Sequence, residues 1–231
     1  MDNNTNEDQQ VSTEKHPKQD FQVERLAFFS DAAFAIAITL LVIEFKIPDI
    51  SANTSFNEIL HQLFDLKFHF IALLFSFFLI ANYWVQHHFL FKYIYNYNIQ
   101  IIVANMFVLL PIIFFPFTTT VLAECFVNLA NTDIYVLGLS LFMLNNFFAS
   151  LAIYLLYWVT IVKYKEMSFE MPKQEEIKFI SLSLFKLVFF GVVPIVALIT
   201  RNVSYIALAI IIMAVWRKFF ANKLATKLAE R

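Results

Sequence analysis

The stretch Arg25-Leu26-Ala27-Phe28-Phe29-Ser30-Asp31 opens an apolar run that carries no charge from Ala32 to Ile43. An arginine, a serine and an aspartate at the start of an apolar helix are costly in a bilayer. An unpaired charge near the membrane centre costs about 3 kcal/mol or more. Chains that keep such groups use them to fasten helices together or to serve a conduction path. The stretch therefore predicts a membrane-spanning helix with a functional polar end.

The composition of the whole chain is that of an integral membrane protein. Of its 231 residues, 60% are hydrophobic and 15% are charged, whereas about 25% are charged in soluble domains. A helical span needs about 20 mainly apolar residues whose backbone groups pair within the helix. Six such runs occur, at 25–47, 67–89, 98–118, 133–162, 177–200 and 203–221. We therefore predict an all-α integral membrane protein with six transmembrane helices per subunit.

The distribution of polar and basic residues predicts three regions and an orientation. Residues 1–20 are polar and indicate a disordered cytoplasmic N-terminal tail. Residues 21–221 form the six-helix transmembrane domain, and 222–231 form a basic cytoplasmic C-terminal tail. Most of the 17 lysines and arginines lie on the side of the two termini. The positive-inside rule then places both termini in the cytoplasm, and we expect a multi-pass protein of the plasma membrane.

Sequence motifs typical of enzymes, metal sites and nucleic-acid binding are missing. No Walker, Rossmann or serine-nucleophile motif occurs, so we expect no enzymatic activity. His87 and His88 are adjacent and point to different faces of a helix, and no HExxH motif or carboxylate cluster accompanies them. We therefore expect no metal site. A formal net charge of −1 argues against a general role with nucleic acid.

The first span carries an aliphatic stripe, which consists of Ile36, Leu40 and Ile43. These residues stand at i, i+4 and i+7 and share one helix face, with Thr39 beside them. If several copies of the helix surrounded an axis, the stripe would form stacked aliphatic rings, and hydrophobic constrictions of that kind gate by dewetting. Ordinary packing or contact with lipid is the alternative, and the spacing alone favours that alternative.

Three parts of the sequence together resemble one known family. The motif Arg25-x-x-x-Phe29-Ser30-Asp31 and its continuation AAFAIAITLLVIEFKIP resemble the signature of the transmembrane protein 175 (TMEM175) family of potassium channels. Tyr83-Trp84-Val85-Gln86-His87-His88 in the second span and Asn105 in the third resemble further landmarks of that family. Its bacterial members are single six-helix units of similar length, so the resemblance covers the six-span body.

The resemblance implies a homotetramer in which the first helix lines a central pore. By offset from the Ser-Asp pair, the constricting rings fall on Ile36, Leu40 and Ile43, and a threonine that contributes to selectivity matches Thr39. The glycine that usually follows the aspartate is Ala32 here. The implied function is a leak-type potassium channel that conducts K⁺ passively and needs no cofactor. Its partners would be potassium ions, the lipid bilayer and further copies of the chain.

The commoner potassium-channel design does not fit this sequence. A carbonyl filter needs glycine-rich loops of the TVGYG kind. The chain has two glycines, Gly138 and Gly191, and neither lies beside a Thr-Val or Tyr-Gly pair. Any discrimination between ions must therefore have another basis. We expect the cost of shedding water at aliphatic rings to favour the more weakly hydrated potassium ion.

The polar residues at the start of the first span need partners inside the protein. Asp31 can accept from the indole of Trp84, from an imidazole of His87 or His88, or from the amide of Asn105. Arg25 can extend to anionic headgroups. We interpret these groups as a structural network that holds the inner end of the pore helix, and the family resemblance implies the same.

Lys186, near the middle of the fifth span, supports an alternative hypothesis. It could pair with Asp31 or with carbonyls near Pro194. A secondary transporter or a proton-permeable channel would use Asp31 and Lys186 as a coupling pair. No inverted repeat with paired broken helices supports a transporter, however. A helical bundle without transport, or a membrane enzyme, is the third hypothesis, and nothing catalytic favours it.

Overall fold

The computed structural model describes residues 17–43, 55–127 and 131–201, and these residues fold as a bundle of α-helices. The helices are α1 (Pro17–Ile43), α2 (Phe56–Asp65), α3 (Lys67–Phe91), α4 (Ile99–Val127), α5 (Thr132–Tyr157) and α6 (Lys173–Thr200). A π-helical turn, Trp158–Lys163, continues α5, and a short 3₁₀ turn, Lys165–Met167, follows it.

Five described segments are long and apolar enough to cross a membrane. They are Gln22–Ile43, Phe56–Phe91, Ile99–Val127, Thr132–Lys163 and Lys173–Thr200. Each overlaps one of the first five predicted spans, so the protein is an all-helical, multi-pass membrane protein. The sixth predicted span, 203–221, lies outside the described residues, as do the predicted C-terminal tail, 222–231, and most of the N-terminal tail.

The helices depart most from the predicted spans at three places. α1 begins at Pro17, inside the predicted tail 1–20, and proline is favoured in the first turn of a helix. α2 was not predicted. α4 continues to Val127 rather than ending at 118, and the threonine run Thr118–Thr120 lies within it. The three hydroxyls donate to backbone carbonyls of the preceding turn, so these polar residues remain compatible with the helix.

α4 lies at the centre of the bundle and packs against α1, α3 and α5. Its residues Val108, Ile112 and Phe115 are completely buried. Several polar side chains in this core are hydrogen-bonded. The Tyr83 hydroxyl shares a 2.9 Å hydrogen bond with the hydroxyl of Ser150 on α5. Such pairs satisfy polar groups that would otherwise be costly in an apolar interior.

Two connections at one end of the bundle are fastened to each other. The segment between α3 and α4 meets the segment before α6 in an antiparallel bridge, Ile94 to Ser168. The Phe169 amide donates to the Tyr93 carbonyl at 2.7 Å, and the Tyr93 hydroxyl donates to Glu175 Oε2 at 2.6 Å. The hydrogen bond to Glu175, followed by burial, raises the pKa of Tyr93 to about 12.

Candidate pore helix and its polar anchor

α1 has one buried face and one exposed face within the single chain. Ser30, Phe34, Ala37 and Leu41 recur every three or four residues and are buried against the bundle. The small side chain of Ala37 allows the neighbouring helix to approach closely. The exposed face is polar at its start and mostly apolar beyond it. α1 is thus held along one side only.

The polar groups in the N-terminal half of α1 form part of what we call the anchor, which consists of Ser30, Asp31, Trp84, His87 and Asn105. The Asn105 amide on α4 donates to Ser30 Oγ at 2.8 Å. Asn105 Oδ1 lies 2.7 Å from His87 Nε2 on α3. Because the amide oxygen can only accept, this nitrogen carries the proton in the contact. The three side chains are at most 1% exposed, so they connect α1, α3 and α4 without water.

Asp31 is bound by the indole of Trp84. Trp84 Nε1 donates to Asp31 Oδ1 at 2.8 Å, and hydrogen bonds to an ionised acceptor are stronger than neutral ones. The ring of Trp84 lies 5.6 Å from the ring of His88, which is exposed. His87 instead packs between Phe34 and Phe91. The two adjacent histidines therefore have separate surroundings, and Arg25 and Phe29 are exposed on the other face of α1.

The aliphatic stripe lies on the uncovered face of α1. Ile36 is 57% exposed, Leu40 37% and Ile43 72%. Thr39 is exposed beside them, and its hydroxyl donates to the Ile36 carbonyl at 2.8 Å. That bond uses the hydroxyl proton and leaves the oxygen able to accept. The stripe thus presents aliphatic carbon, with one acceptor oxygen per chain next to it.

Lys186 is bound to α3 and not to Asp31. Its ammonium donates to Asn82 Oδ1 at 2.7 Å and lies 5.3 Å from the centre of the Tyr83 ring. Gln86 Nε2 donates to the same Asn82 oxygen at 2.8 Å. Asn82 and Gln86 are not among the site residues predicted from the sequence. Lys186 and Gln86 share the Asn82 oxygen because of the way α3 and α6 are rotated against each other, and hydropathy does not reveal that rotation.

Among known proteins, one family model matches the segment that contains the anchor and the stripe. Residues 25–116 match the family model described as "Endosomal/lysosomal potassium channel TMEM175". The matched segment begins at Arg25 and includes every residue of the anchor. Over residues 25–116 the sequence of this chain is similar to the TMEM175 family.

Curated relatives of this chain include two bacterial potassium channels. The one from Chryseobacterium sp. (strain P1-3) is 37% identical over 95 residues, which are 41% of this chain and 46% of the relative. The one from Chamaesiphon minutus is 36% identical over 104 residues, which are 45% of this chain and 51% of the relative. The chain thus spans about half the length of the curated relatives that it matches.

Two solved TMEM175 structures share the fold. The crystal structure of a lysosomal potassium-selective channel TMEM175 homolog from Chamaesiphon minutus has a TM-score of 0.63 and 25% identity. The match covers 82% of this chain and 95% of that one. A threonine-to-alanine variant of the potassium channel MtTMEM175, in complex with a nanobody fusion protein, has a TM-score of 0.58. At 19% identity over 89% of this chain and 93% of that one, it supports the fold alone.

Proposed function

We propose that this chain is the subunit of a leak-type, potassium-selective channel. Four copies, each with six transmembrane helices, surround a central pore that α1 lines. Ile36, Leu40 and Ile43 form the constriction, and Thr39 contributes to selectivity. The channel lies in the plasma membrane with both termini in the cytoplasm and conducts K⁺ passively without a cofactor.

The observation that carries this proposal is the division of α1 into an anchored face and an uncovered aliphatic face. In the single chain, 22% of the residues in the most apolar part of α1 are buried, a share close to the 18% of the segment that contains α3 and far below the 67% of the segment that contains α5. A lipid-facing helix would also be uncovered. However, the hydrogen bonds of Asp31 and Ser30 hold α1 in one rotation about its axis. A helix that packs against copies of itself needs such a fixed rotation. The naming of the curated relatives as potassium channels adds independent support.

Ion passage follows from the chemistry of the stripe. The aliphatic rings offer no ligands, so an ion crosses them with part of its water shell, and a narrow apolar passage can also dewet and close. Potassium holds its water less tightly than sodium and therefore crosses at lower cost. The Thr39 oxygen, beside the rings, replaces part of the lost hydration. The anchor holds the inner end of α1 so that the four stripes remain aligned.

The alternative function, a secondary transporter or a proton-permeable channel that uses Asp31 and Lys186, requires the two charged groups to act together. They are bound to different residues of α3, Trp84 and Asn82 respectively. That arrangement supplies no direct exchange of a proton or an ion between them. The experiment below distinguishes this alternative from the channel.

The test is a potassium-versus-sodium reversal-potential measurement on the purified protein in liposomes, with the variant Ile36→Asn and the control Val42→Asn. Val42 is also exposed on α1, but it lies about 120° around the helix from Ile36. We expect large potassium flux that needs no second gradient, and a strong change of permeation for Ile36→Asn alone. Equal effects of both variants would place the stripe against lipid. Saturating flux that depends on a proton gradient would favour the transporter.

A further inference from the structure

The membrane-spanning part of the structure contains a cavity between α4 and α5. Its volume is about 470 Å³, within the range of about 300 to 1,000 Å³ typical of small-molecule sites. Its walls are aromatic and aliphatic side chains, among them Phe107, Phe114, Leu144 and Phe148. All lining residues lie within the spans Ile99–Val127 and Thr132–Lys163, so a ligand would reach the cavity from the bilayer. None of them is charged, so an ionised ligand would have no counter-charge.

One buried polar side chain defines the chemistry of this cavity. Asn145 lines it and is only 9% exposed. Its Nδ2 donates to the Pro111 carbonyl at 3.1 Å and lies 3.5 Å from Thr118 Oγ1. The Pro111 oxygen can only accept, which fixes the orientation of the amide. No described residue donates to Asn145 Oδ1, so this oxygen is an acceptor available to a ligand.

The other polar groups of the cavity add acceptors but no donor. The Thr118 hydroxyl hydrogen is directed to the carbonyls of Phe114 and Phe115. Pro111 has no amide hydrogen, so the carbonyl of Phe107 lacks its usual i+4 helical donor. A complementary ligand must therefore bring its own donor.

We propose that this cavity binds an uncharged, membrane-soluble alcohol or phenol, whose hydroxyl donates to Asn145 Oδ1 while its apolar body fills the space between α4 and α5. Nothing in this site uses the aliphatic stripe or the anchor. The proposal is therefore independent of ion conduction. A plain acyl chain or a neighbouring subunit would fill the same space without needing the acceptor.

The test uses two photoreactive probes with the same alkyl chain on the full chain in liposomes, a diazirine-bearing octanol and its methyl ether. Labelled peptides are identified by mass spectrometry. We expect the octanol to label the cavity walls of α4 and α5, and excess 1-octanol to suppress this labelling. The ether cannot donate. One hydrogen bond contributes about 0.5 to 1.5 kcal/mol, so we expect about 2- to 12-fold less labelling by the ether.

Two tryptophan variants provide the specificity control. Leu144→Trp fills the cavity, whereas Leu184→Trp alters an equally exposed leucine of α6 outside it; their exposures are 44% and 45%. We expect only Leu144→Trp to abolish the labelling, with both variants eluting as the wild type does in size-exclusion chromatography. Equal labelling by both probes would identify a general acyl-chain contact and overturn the proposal. Labelling that survives Leu144→Trp, or that avoids the cavity altogether, would overturn it too.

Discussion

Asn105 on α4 donates a 2.8 Å hydrogen bond to Ser30 on α1, and both side chains are completely buried. This contact sets the rotation of α1 about its own axis. Ile36 follows Ser30 by six residues, which places it about 120° around the helix. With Ser30 held against α4, the aliphatic stripe faces away from the bundle. The polar contact at one end of α1 therefore determines where the apolar face of the same helix points.

The first prediction concerns the coupling of this pair. Ser30→Ala and Asn105→Ala each remove one partner and leave the other polar group buried, which costs about 1 to 3 kcal/mol. The double variant removes both partners, so we expect the two effects to fall short of additivity by about 1 kcal/mol. Thermal unfolding in detergent of the wild type and the three variants measures this. Additive effects would mean that the contact does not hold α1.

A second prediction concerns the indole of Trp84. Trp84→Phe keeps an aromatic ring but removes the donor to Asp31, and we expect a loss of about 1 kcal/mol in the free energy of unfolding because Asp31 is partly exposed. Potassium current should fall while the reversal potential stays unchanged, since the rings are intact. Trp158→Phe, at a similarly exposed tryptophan of the π-helical turn, is the control. A shifted reversal potential in Trp84→Phe would assign Trp84 to selectivity instead.

The third prediction concerns the hydroxyl of Thr39. Thr39→Val keeps the shape of the side chain and removes the acceptor oxygen beside the aliphatic stripe, so the proposed function predicts a severalfold lower preference for potassium over sodium. The reversal potential under bi-ionic conditions measures this. Thr200→Val is the matched control, because the Thr200 hydroxyl also donates to a carbonyl of its own helix at 2.8 Å and is exposed. Unchanged selectivity in Thr39→Val would leave the aliphatic rings as the sole basis of discrimination.

A fourth prediction is that the stability contributed by the hydrogen bond between Tyr93 and Glu175 depends on pH. The pKa of Tyr93 is raised to about 12 by its bond to Glu175, from an ordinary value of about 10. A raised pKa means that the bond stabilises the fold fully below pH ~10 and that this contribution is lost as the pH rises through about 12. Tyr93→Phe should lower stability by about 1 to 2 kcal/mol at pH 8 and by almost nothing near pH 12.

Melting temperatures of the wild type and Tyr93→Phe between pH 8 and 12 measure this difference. Tyr97→Phe is the control, because the Tyr97 hydroxyl donates to no described residue and the side chain is only partly buried. If the difference in melting temperature between the wild type and Tyr93→Phe stayed constant from pH 8 to 12, the stabilisation would not come from the phenol proton.

Local patterns were sufficient for the spans but not for every helix. α3 was predicted as 67–89 and extends from Lys67 to Phe91, because hydropathy accumulates residue by residue along a span. α2 was not predicted, although Ser55-x-x-Glu58 forms a complete capping box at its start. Ten residues of mixed polarity fall below the length of a span, so hydropathy does not detect such a helix.

The amino-acid sequence by itself determined that the chain is helical and crosses a membrane repeatedly, and it located the stripe and the polar motif, because period and hydrophobicity are local properties. It left open whether Asp31 would meet Trp84, His87, His88 or Asn105, all at a similar depth. Only the tertiary structure showed which residues are hydrogen-bonded: Trp84 with Asp31, Asn105 with Ser30, and Asn82 with Lys186. Such partners depend on how each helix is rotated against its neighbours, and the packing of the whole bundle decides that rotation.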